Sequence, residues 1–360
     1  MIIPDFYCFL SYTGSKDDYF DFSKYDKNTA FNMFCMQEDL LLAESLGKLV
    51  LFDLRKGKFI NSKGKKVDIA GKTIFCRTSV GDTEEMFEAI EKHGGKIIGS
   101  LDETLKVRRW FDYIQPQHRR IAKTNHIDVL ENMEKHMQEF DNPFFLKSLV
   151  KNFAGKTTCS IENMQGSGPN MVIPIKKYQV EGFPGVSFRH GNNNEDWLIS
   201  NFVNVNSEVR EEQDFPVRRE WRVFVVSGEI LSISRFSDYI IPIESDITIK
   251  IEEEIARFGQ VESFPKNYVC DFFEYDKNGE TFFDICEFNP IESAGVYRSN
   301  GLIVDDNGKL INPIRKYDID EFKKIKLPNE IELLENVISK KSHRNNFFSI
   351  FTRSNQNKKT

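Results

Sequence analysis

The chain has 360 residues, of which 40% are hydrophobic and 29% charged, so it is long enough for two or three globular domains with buried cores. Its formal net charge of -6 argues against a protein that wraps nucleic acid, because that requires a concentrated basic surface. No apolar run approaches the about 18 residues of a membrane span, and the N-terminus lacks the basic segment of a signal peptide. The six cysteines form no C-x-x-C pair, so we expect reduced thiols in a soluble, cytoplasmic protein.

Residues 1–115 are predicted to form a parallel α/β domain. The stretch FNMFCMQEDLLLAESLG has helical periodicity, and DTEEMFEAIEKHGG is typical of a capped helix that ends in glycines. KLVLFDL, GKTIFCRTS and KIIGS have the composition of short buried strands. Because strands and helices alternate, the sequence predicts a small parallel sheet flanked by helices.

Two further domains and a tail are predicted to follow. Residues 116–190 contain a polar helical segment, the strand NPFFLKSLVK and a stretch rich in Gly, Asn, Ser and Lys, which indicates loops and short strands. Residues 191–328 are β-rich, with a hairpin at REWRVFVVSGEILSISRF, a short helix, and a second hairpin that turns at DKNG. Residues 329–360 are predicted to form a helix and a basic, flexible tail.

The first hairpin carries two arginines that suit an anionic ligand. Arg222 shares one strand face with Glu220 and Phe224, and the tight turn at SGE is expected to bring Arg235 back beside that face. Guanidinium groups bind anionic oxygens without losing their charge, so the pair can hold a phosphate. The alternative is a pair of salt-bridged surface arginines.

A lysine inside an apolar strand is a second candidate for phosphate binding. Lys147 interrupts the strand FFLKS, where an unpaired charge is unfavourable. Lys151, Gly155 and Lys156 follow, and glycine with lysine allows backbone N–H groups and a cation to approach an anion. The alternative is a lysine whose charged end reaches solvent.

The strand FFDICEFNP ends in residues that can bind a hard cation. Glu287 and Asn289 are two residues apart in one strand, so their side chains lie on one face. Asp271 lies on the preceding strand, which the DKNG turn connects to this one. Carboxylate and amide oxygens are the ligands that Mg²⁺ prefers. Asp284 competes as a ligand, but in a regular strand it faces away from Glu287, so Asp271 is preferred. The alternative for each acid is a solvated surface position.

In this order, the motifs resemble those of the ATP-grasp superfamily, especially its glutathione-synthetase and ribosomal-protein glutamate-ligase branch. FFLKS is similar to the lysine strand of the family, DWLISNFVNV to its adenine-binding hinge, REWRVFVVSGEI to its E-x-R-x-F-V hairpin and CEFNPIESAG to its metal motif. The likeness spans roughly residues 40 to 300. It implies a pre-ATP-grasp parallel α/β domain followed by a two-lobed ATP-grasp domain, with mixed α/β and α+β architecture.

The resemblance also implies an activity and a set of roles. It predicts an ATP- and Mg²⁺-dependent ligase that joins a carboxylate to an amine, on a small molecule, peptide or protein, through an acyl phosphate. Asp271, Glu287 and Asn289 would hold two magnesium ions, and Arg222 and Arg235 would serve catalysis by binding phosphate. The residues that would bind the nucleotide are Lys147, Lys151, Arg109, Asn201, Phe202 and Val203.

Two features depart from the family pattern. A second lysine of the family falls at Trp110, so Arg109 is expected to replace it. The separation between Asp271 and Glu287 is longer than in the family, which a longer hairpin at DKNG would explain.

The first hairpin also resembles that of the ATP-grasp chaperone of translation-initiation-factor assembly. The alternative function is therefore an ATP-binding assembly factor with a protein partner and little or no turnover.

Overall fold

The computed structural model of the protein describes residues 3–21, 27–78, 83–125, 128–129, 132–140, 144–148, 156–159, 164–167, 170–173, 197–209, 217–235, 241–295 and 302–311. These residues form two compact units. The N-terminal unit contains the described residues up to Ile98 together with 302–311, and the central unit contains those from Gly99 to Gly295. The predicted helix and tail at 329–360 lie outside the described residues.

The N-terminal unit is built on a five-stranded sheet with the order β3-β2-β1-β4-β5. Its strands are β1 Phe6–Ser11, β2 Leu49–Asp53, β3 Lys58–Ile60, β4 Thr73–Arg77 and β5 Lys96–Ile97. The pairs β1–β2, β1–β4 and β4–β5 are parallel, and only β3 is added antiparallel at the edge. Strands β1 and β2 are apolar and buried almost throughout, as strands of a parallel sheet covered on both faces are.

In the described part of this unit, helices α1 Lys27–Ser45 and α2 Thr83–Lys92 accompany the sheet, with a 3-10 turn at Lys16–Tyr19. Helix α2 buries Met86, Phe87 and Ile90, and Gly94 at φ 76 follows its end. The predicted parallel α/β fold of the N-terminal region is therefore confirmed.

The central unit contains a six-stranded sheet with the order β10-β9-β8-β7-β11-β6. Its strands are β6 Ile121–Thr124, β7 Phe144–Ser148, β8 Lys156–Cys159, β9 Met164–Ser167, β10 Asn170–Ile173 and β11 Trp197–Asn201. All described pairs are antiparallel. Helices α3 Leu101–Arg108 and α4 Met133–Phe140 and a 3-10 turn at Trp110–Asp112 precede or lie between these strands. Because β11 pairs with β6 and β7, the segments 116–190 and 191–328 share a sheet, and the bounds of the four predicted domains stay predictions.

A second sheet of the central unit has four antiparallel strands in the order β15-β14-β16-β17. After the short pair β12 Ser207–Glu208 and β13 Val217–Arg218, its strands are β14 Glu220–Val226, β15 Glu229–Arg235, β16 Tyr268–Lys277 and β17 Glu280–Asn289. Both of its hairpins close through two residues with positive φ, Ser227–Gly228 and Asn278–Gly279. Such turns match the twist of antiparallel strands, and both predicted hairpins are confirmed.

Helix α5, Ser245–Gly259, covers one face of the four-stranded sheet. Its buried residues Ile247, Ile251, Ile255 and Phe258 form an apolar stripe. They share a core with residues that alternate along the strands, namely Trp221, Val223, Val225, Cys270, Phe272, Ile285 and Phe288. The residues between them, Arg222 and Asp271 among them, therefore lie on the opposite face of the sheet.

Two smaller features complete the described chain. A hairpin of β18 Ile303–Val304 and β19 Leu310–Ile311 belongs to the N-terminal unit, where the Val304 amide donates to the Tyr7 hydroxyl at 2.9 Å. The cysteines whose side chains the structure describes, Cys8, Cys76, Cys270 and Cys286, form no disulfide bond with one another. None of the helices in the described ranges combines the length and apolar character that a membrane crossing requires.

Candidate functional site

Three charged residues form a row across the four-stranded sheet, on the face opposite helix α5. Arg222 of β14 lies directly opposite Asp271 of β16, and Asp271 lies directly opposite Glu287 of β17. Directly opposite residues of antiparallel strands project to the same face. The long β16–β17 hairpin thus brings Asp271 and Glu287 together despite their separation in sequence, as predicted.

Asp271 is the centre of this row. Arg222 donates from Nε to Oδ1 at 2.7 Å and from Nη2 to Oδ2 at 2.6 Å, and Asn289 donates from Nδ2 to Oδ2 at 3.1 Å. The side chain of Asp271 is only 2% exposed and that of Arg222 12% exposed. A bidentate guanidinium–carboxylate pair fixes both partners in one orientation.

Asn289 connects the two carboxylates. Its Nδ2 also donates to Glu287 Oε1 at 3.3 Å, so the amide nitrogen lies between one oxygen of Asp271 and one of Glu287. A half-turn of the amide would place Oδ1 there instead of Nδ2. The two carboxylates and the amide then supply a set of buried oxygen ligands, which fits a hard cation such as Mg²⁺. No cluster of three or more His, Cys, Asp or Glu suitable for a metal occurs in the described part of the chain, so the amide is needed to complete this set.

The expected direction of Asp284 is wrong. A bulge at Cys286 separates the pair Asp271–Glu287 from the pair Phe272–Ile285, and beyond it Asp284 lies opposite Phe273. One extra residue moves the rest of the strand to the other face, so Asp284 shares the face of Glu287. It lies one row further along the strand, opposite Phe273 rather than Asp271.

Asp284 is 4% exposed, and backbone amides hold its carboxyl group. Its Oδ1 accepts from the Ile285 amide at 2.9 Å and from the Gln117 amide at 3.2 Å. Its Oδ2 is buried without a hydrogen-bond partner among the described residues. Burial raises the pKa of this carboxyl, and the nearby Arg119 charge opposes that effect only in part.

The prediction that Arg235 lies beside Arg222 is also wrong. A bulge in β15 between its pairings with Phe224 and Val225 places Ser234 opposite Arg222 and Arg235 opposite Trp221. Arg235 therefore lies on the sheet face that α5 covers, and its Nη1 donates to Glu208 of β12 at 2.8 Å and to Glu244, which precedes α5, at 3.3 Å. A regular two-residue hairpin would have placed Arg235 on the face of Arg222, and the bulge reverses it.

The predicted nucleotide residues lie on several elements of the central unit. Lys147 is in β7, opposite Leu198 of β11 and Lys156 of β8, and Lys151 lies outside the described residues. Arg109 ends helix α3 with its side chain 68% exposed and paired with Asp112 at 2.8 Å.

The predicted hinge leads from one sheet of the central unit to the other. Asn201 ends β11 and accepts from the Arg120 amide on Oδ1 at 3.1 Å, and Phe202 and Val203 follow half-buried. The Asn206 amide then donates to Glu274 O in β16 at 2.7 Å. The structure brings Arg222, Asp271, Glu287 and Asn289 into one site, and the nucleotide roles of the other residues stay predictions.

One contact of the site has no signal in the sequence. Arg222 Nη1 donates to Gly295 O at 2.7 Å, which ties the turn after β17 to β14. A backbone carbonyl carries no residue-type pattern, so only its place near the end of the CEFNPIESAG motif could have suggested it.

Comparisons with known proteins give structural likeness only. No protein-family model matches the chain, and no curated protein matches its sequence. Among solved structures it is similar to D-alanyl-alanine synthetase A from Vibrio cholerae O1 biovar eltor str. N16961, with 11% identity and a TM-score of 0.43 over 94% of this chain and 100% of that one.

Two further structures are similar to the chain. The ATP-grasp ligase PsnB complexed with minimal precursor, Mg and ADP has 11% identity and a TM-score of 0.40 over 81% of this chain and 91% of PsnB. The RimK domain protein ATP-grasp from Sphaerobacter thermophilus DSM 20745 has 11% identity and a TM-score of 0.37 over 79% of this chain and 91% of that one. Likeness at this level carries no argument about activity.

Proposed function

We propose that the protein is an ATP- and Mg²⁺-dependent ligase that joins a carboxylate to an amine through an acyl phosphate. One observation carries the proposal: Asp271, Glu287 and Asn289 converge on one sheet face, beside the half-buried cation Arg222. Oxygen ligands of this kind suit a metal that also binds nucleotide phosphates. The order of motifs around them, from the lysine strand to the metal motif, supports ATP as the nucleotide.

The proposed roles follow from the chemistry of each group. Asp271, Glu287 and Asn289 would hold Mg²⁺, which when bound neutralises charge on the phosphates. Lys147 would contact the phosphates from the six-stranded sheet, and the backbone of 201–203 would meet the adenine edge. Positioned charges of this kind stabilise the transferring phosphoryl group without reorganising during the reaction.

One observation favours the alternative of an ATP-binding assembly factor with slow turnover. Arg235 faces helix α5, and the guanidinium of Arg222 contacts Asp271 and Gly295, so the two arginines do not form the paired phosphate clamp that the sequence predicts. Binding of nucleotide with no product formed from any acid and amine would favour this second function.

The test measures nucleotide binding and ADP release with purified full-length protein. ADP release is assayed across panels of candidate carboxylates and amines with Mg²⁺ present. Glu287→Ala and Asn289→Ala are each expected to lower ADP release by more than about 100-fold, because they remove preorganised charge stabilisation. Glu280→Ala, which removes an exposed acid from the far end of the same strand, is the matched control.

Two results would contradict the proposal. Unchanged ADP release in both Glu287→Ala and Asn289→Ala would remove the metal assignment. Failure of the wild-type protein to bind an ATP analogue with Mg²⁺ would exclude ATP as a substrate of the proposed reaction.

A further inference from the structure

Arg222 uses three of its nitrogens to hold two separate parts of the candidate site. Nε and Nη2 bind the two oxygens of Asp271 at 2.7 and 2.6 Å, and Nη1 binds the Gly295 carbonyl at 2.7 Å. Asp271 is in the middle of β16, and Gly295 lies beyond Pro290, in the turn that follows β17. The guanidinium therefore fixes the direction of one carboxylate and the position of the turn together.

The carboxylate that Arg222 holds is also a candidate metal ligand. Oδ1 of Asp271 accepts from Arg222, and Oδ2 accepts from both Arg222 and Asn289. The oxygen shared with Asn289 is the one that faces Glu287, since the same amide nitrogen also contacts Glu287 Oε1. A cation bound between Asp271 and Glu287 would thus use the oxygen that Nη2 occupies.

We propose that Arg222 is a positioning residue and internal counter-cation that competes with a divalent cation for Asp271. This inference rests on the proposed function, because it takes Asp271 as a metal ligand. Two hydrogen bonds from Arg222 direct the Asp271 carboxylate at the site, and Nη2 would leave Oδ2 when that oxygen binds the cation. Nε and Nη1 keep their contacts with Oδ1 and Gly295.

Two consequences follow from this exchange. A divalent cation on Asp271 would lie roughly 4–6 Å from the guanidinium, so repulsion between the two positive charges weakens binding of the cation alone. Nη2, once released from Oδ2, is a charged donor beside the cation and can bind an anionic oxygen. Cation and phosphate therefore assist each other's binding, and linkage requires this effect to be reciprocal.

The experiment titrates Mn²⁺ into the full-length protein and follows free Mn²⁺ by electron paramagnetic resonance, first alone and then with ADP present. Arg222→Gln is expected to bind Mn²⁺ alone at least about tenfold more tightly than wild type, because the competing charge is removed. The increase in ADP affinity that Mn²⁺ produces in wild type is expected to shrink in Arg222→Gln. A merely structural role would not produce these opposite changes.

Two variants control the measurement. Arg222→Lys keeps the charge but cannot bind both oxygens of Asp271 and the Gly295 carbonyl, so we expect a smaller gain in Mn²⁺ affinity than in Arg222→Gln. This variant also serves if Arg222→Gln does not fold. Lys250→Gln removes a cation from helix α5 that pairs with Glu274 at 3.1 Å, and it should leave Mn²⁺ affinity unchanged.

The outcomes separate this inference from the proposed function. If both Arg222 variants bind Mn²⁺ no more tightly than wild type, while Glu287→Gln abolishes binding, the competition is overturned. The metal site then stays in place. Absence of Mn²⁺ binding in wild type and in Arg222→Gln alike overturns both. Mn²⁺ binding by Arg222→Gln but not by wild type would support the competition in its strongest form.

Discussion

Asp284 illustrates how a single side chain can share a face with the candidate site without belonging to it. Two backbone amides fix its Oδ1, whereas its Oδ2 is buried without a hydrogen bond in the described part of the chain. Because burial raises its pKa in the folded protein, folding disfavours the charged form of Asp284. Its carboxylate therefore destabilises the fold at neutral pH.

Replacement of Asp284 by Asn should remove this effect. The unfolded pKa of Asp is about 3.9, so the penalty is absent below that pH, grows as pH rises towards the raised folded pKa, and stays constant above it. We expect Asp284→Asn to be more stable than wild type by about 1 kcal/mol at neutral pH, and the difference to vanish in acid. Denaturant unfolding across this pH range measures it, and a difference independent of pH would contradict this explanation.

The sequence predicts which residue types form the site, but it does not predict the contacts between them. Glu287 and Asn289 alternate along one strand, so period two alone predicts that they share a face. The bidentate bond between Arg222 and Asp271 depends on the register of two strands that are distant in sequence, which no local pattern specifies.

At the scale of elements, the two bulges determine which residues reach the site. The bulge in β15 turns Arg235 towards helix α5, and the bulge at Cys286 turns Asp284 towards the row of Arg222, Asp271 and Glu287. Hairpins were predictable because their turns have local signatures, as Asn278–Gly279 shows. A bulge at an apolar residue or a cysteine has no such signature, so the sequence predicts the wrong face for Arg235 and Asp284, which lie beyond the two bulges.

The turn of the first hairpin offers a test of how register is maintained. Ser227 and Gly228 have φ values of 56 and 80, and Asn is better suited than Ser to the first position of such a turn. We expect Ser227→Asn to raise stability by roughly 0.5 kcal/mol and Gly228→Ala to lower it by about 1 kcal/mol, since Ala disfavours positive φ. Thermal unfolding of both variants measures this, and equal effects of the two changes would contradict the turn geometry.

At the scale of the whole molecule, the order of elements was predictable and the division into units was not. Alternating strands and helices predict the parallel sheet of the N-terminal unit. The apolar composition of its strands is a second signal, because parallel strands covered on both faces are apolar almost throughout. Strand β11 joins the sheet of β6 and β7 across a long stretch of chain, and pairing at such a distance leaves no periodic trace. The substrate is likewise not encoded in the sheet motifs, since specificity depends on loops.

We propose that Asp271, Glu287 and Asn289 form a divalent-cation site that serves a nucleotide. The most direct test is an anomalous difference map from crystals grown with Mn²⁺ and a non-hydrolysable ATP analogue. We predict a peak at about 2.0–2.3 Å from oxygens of Asp271, Glu287 and Asn289, with the analogue's phosphates in the same coordination shell. A bound analogue whose Mn²⁺ peak lies away from these residues would contradict the account.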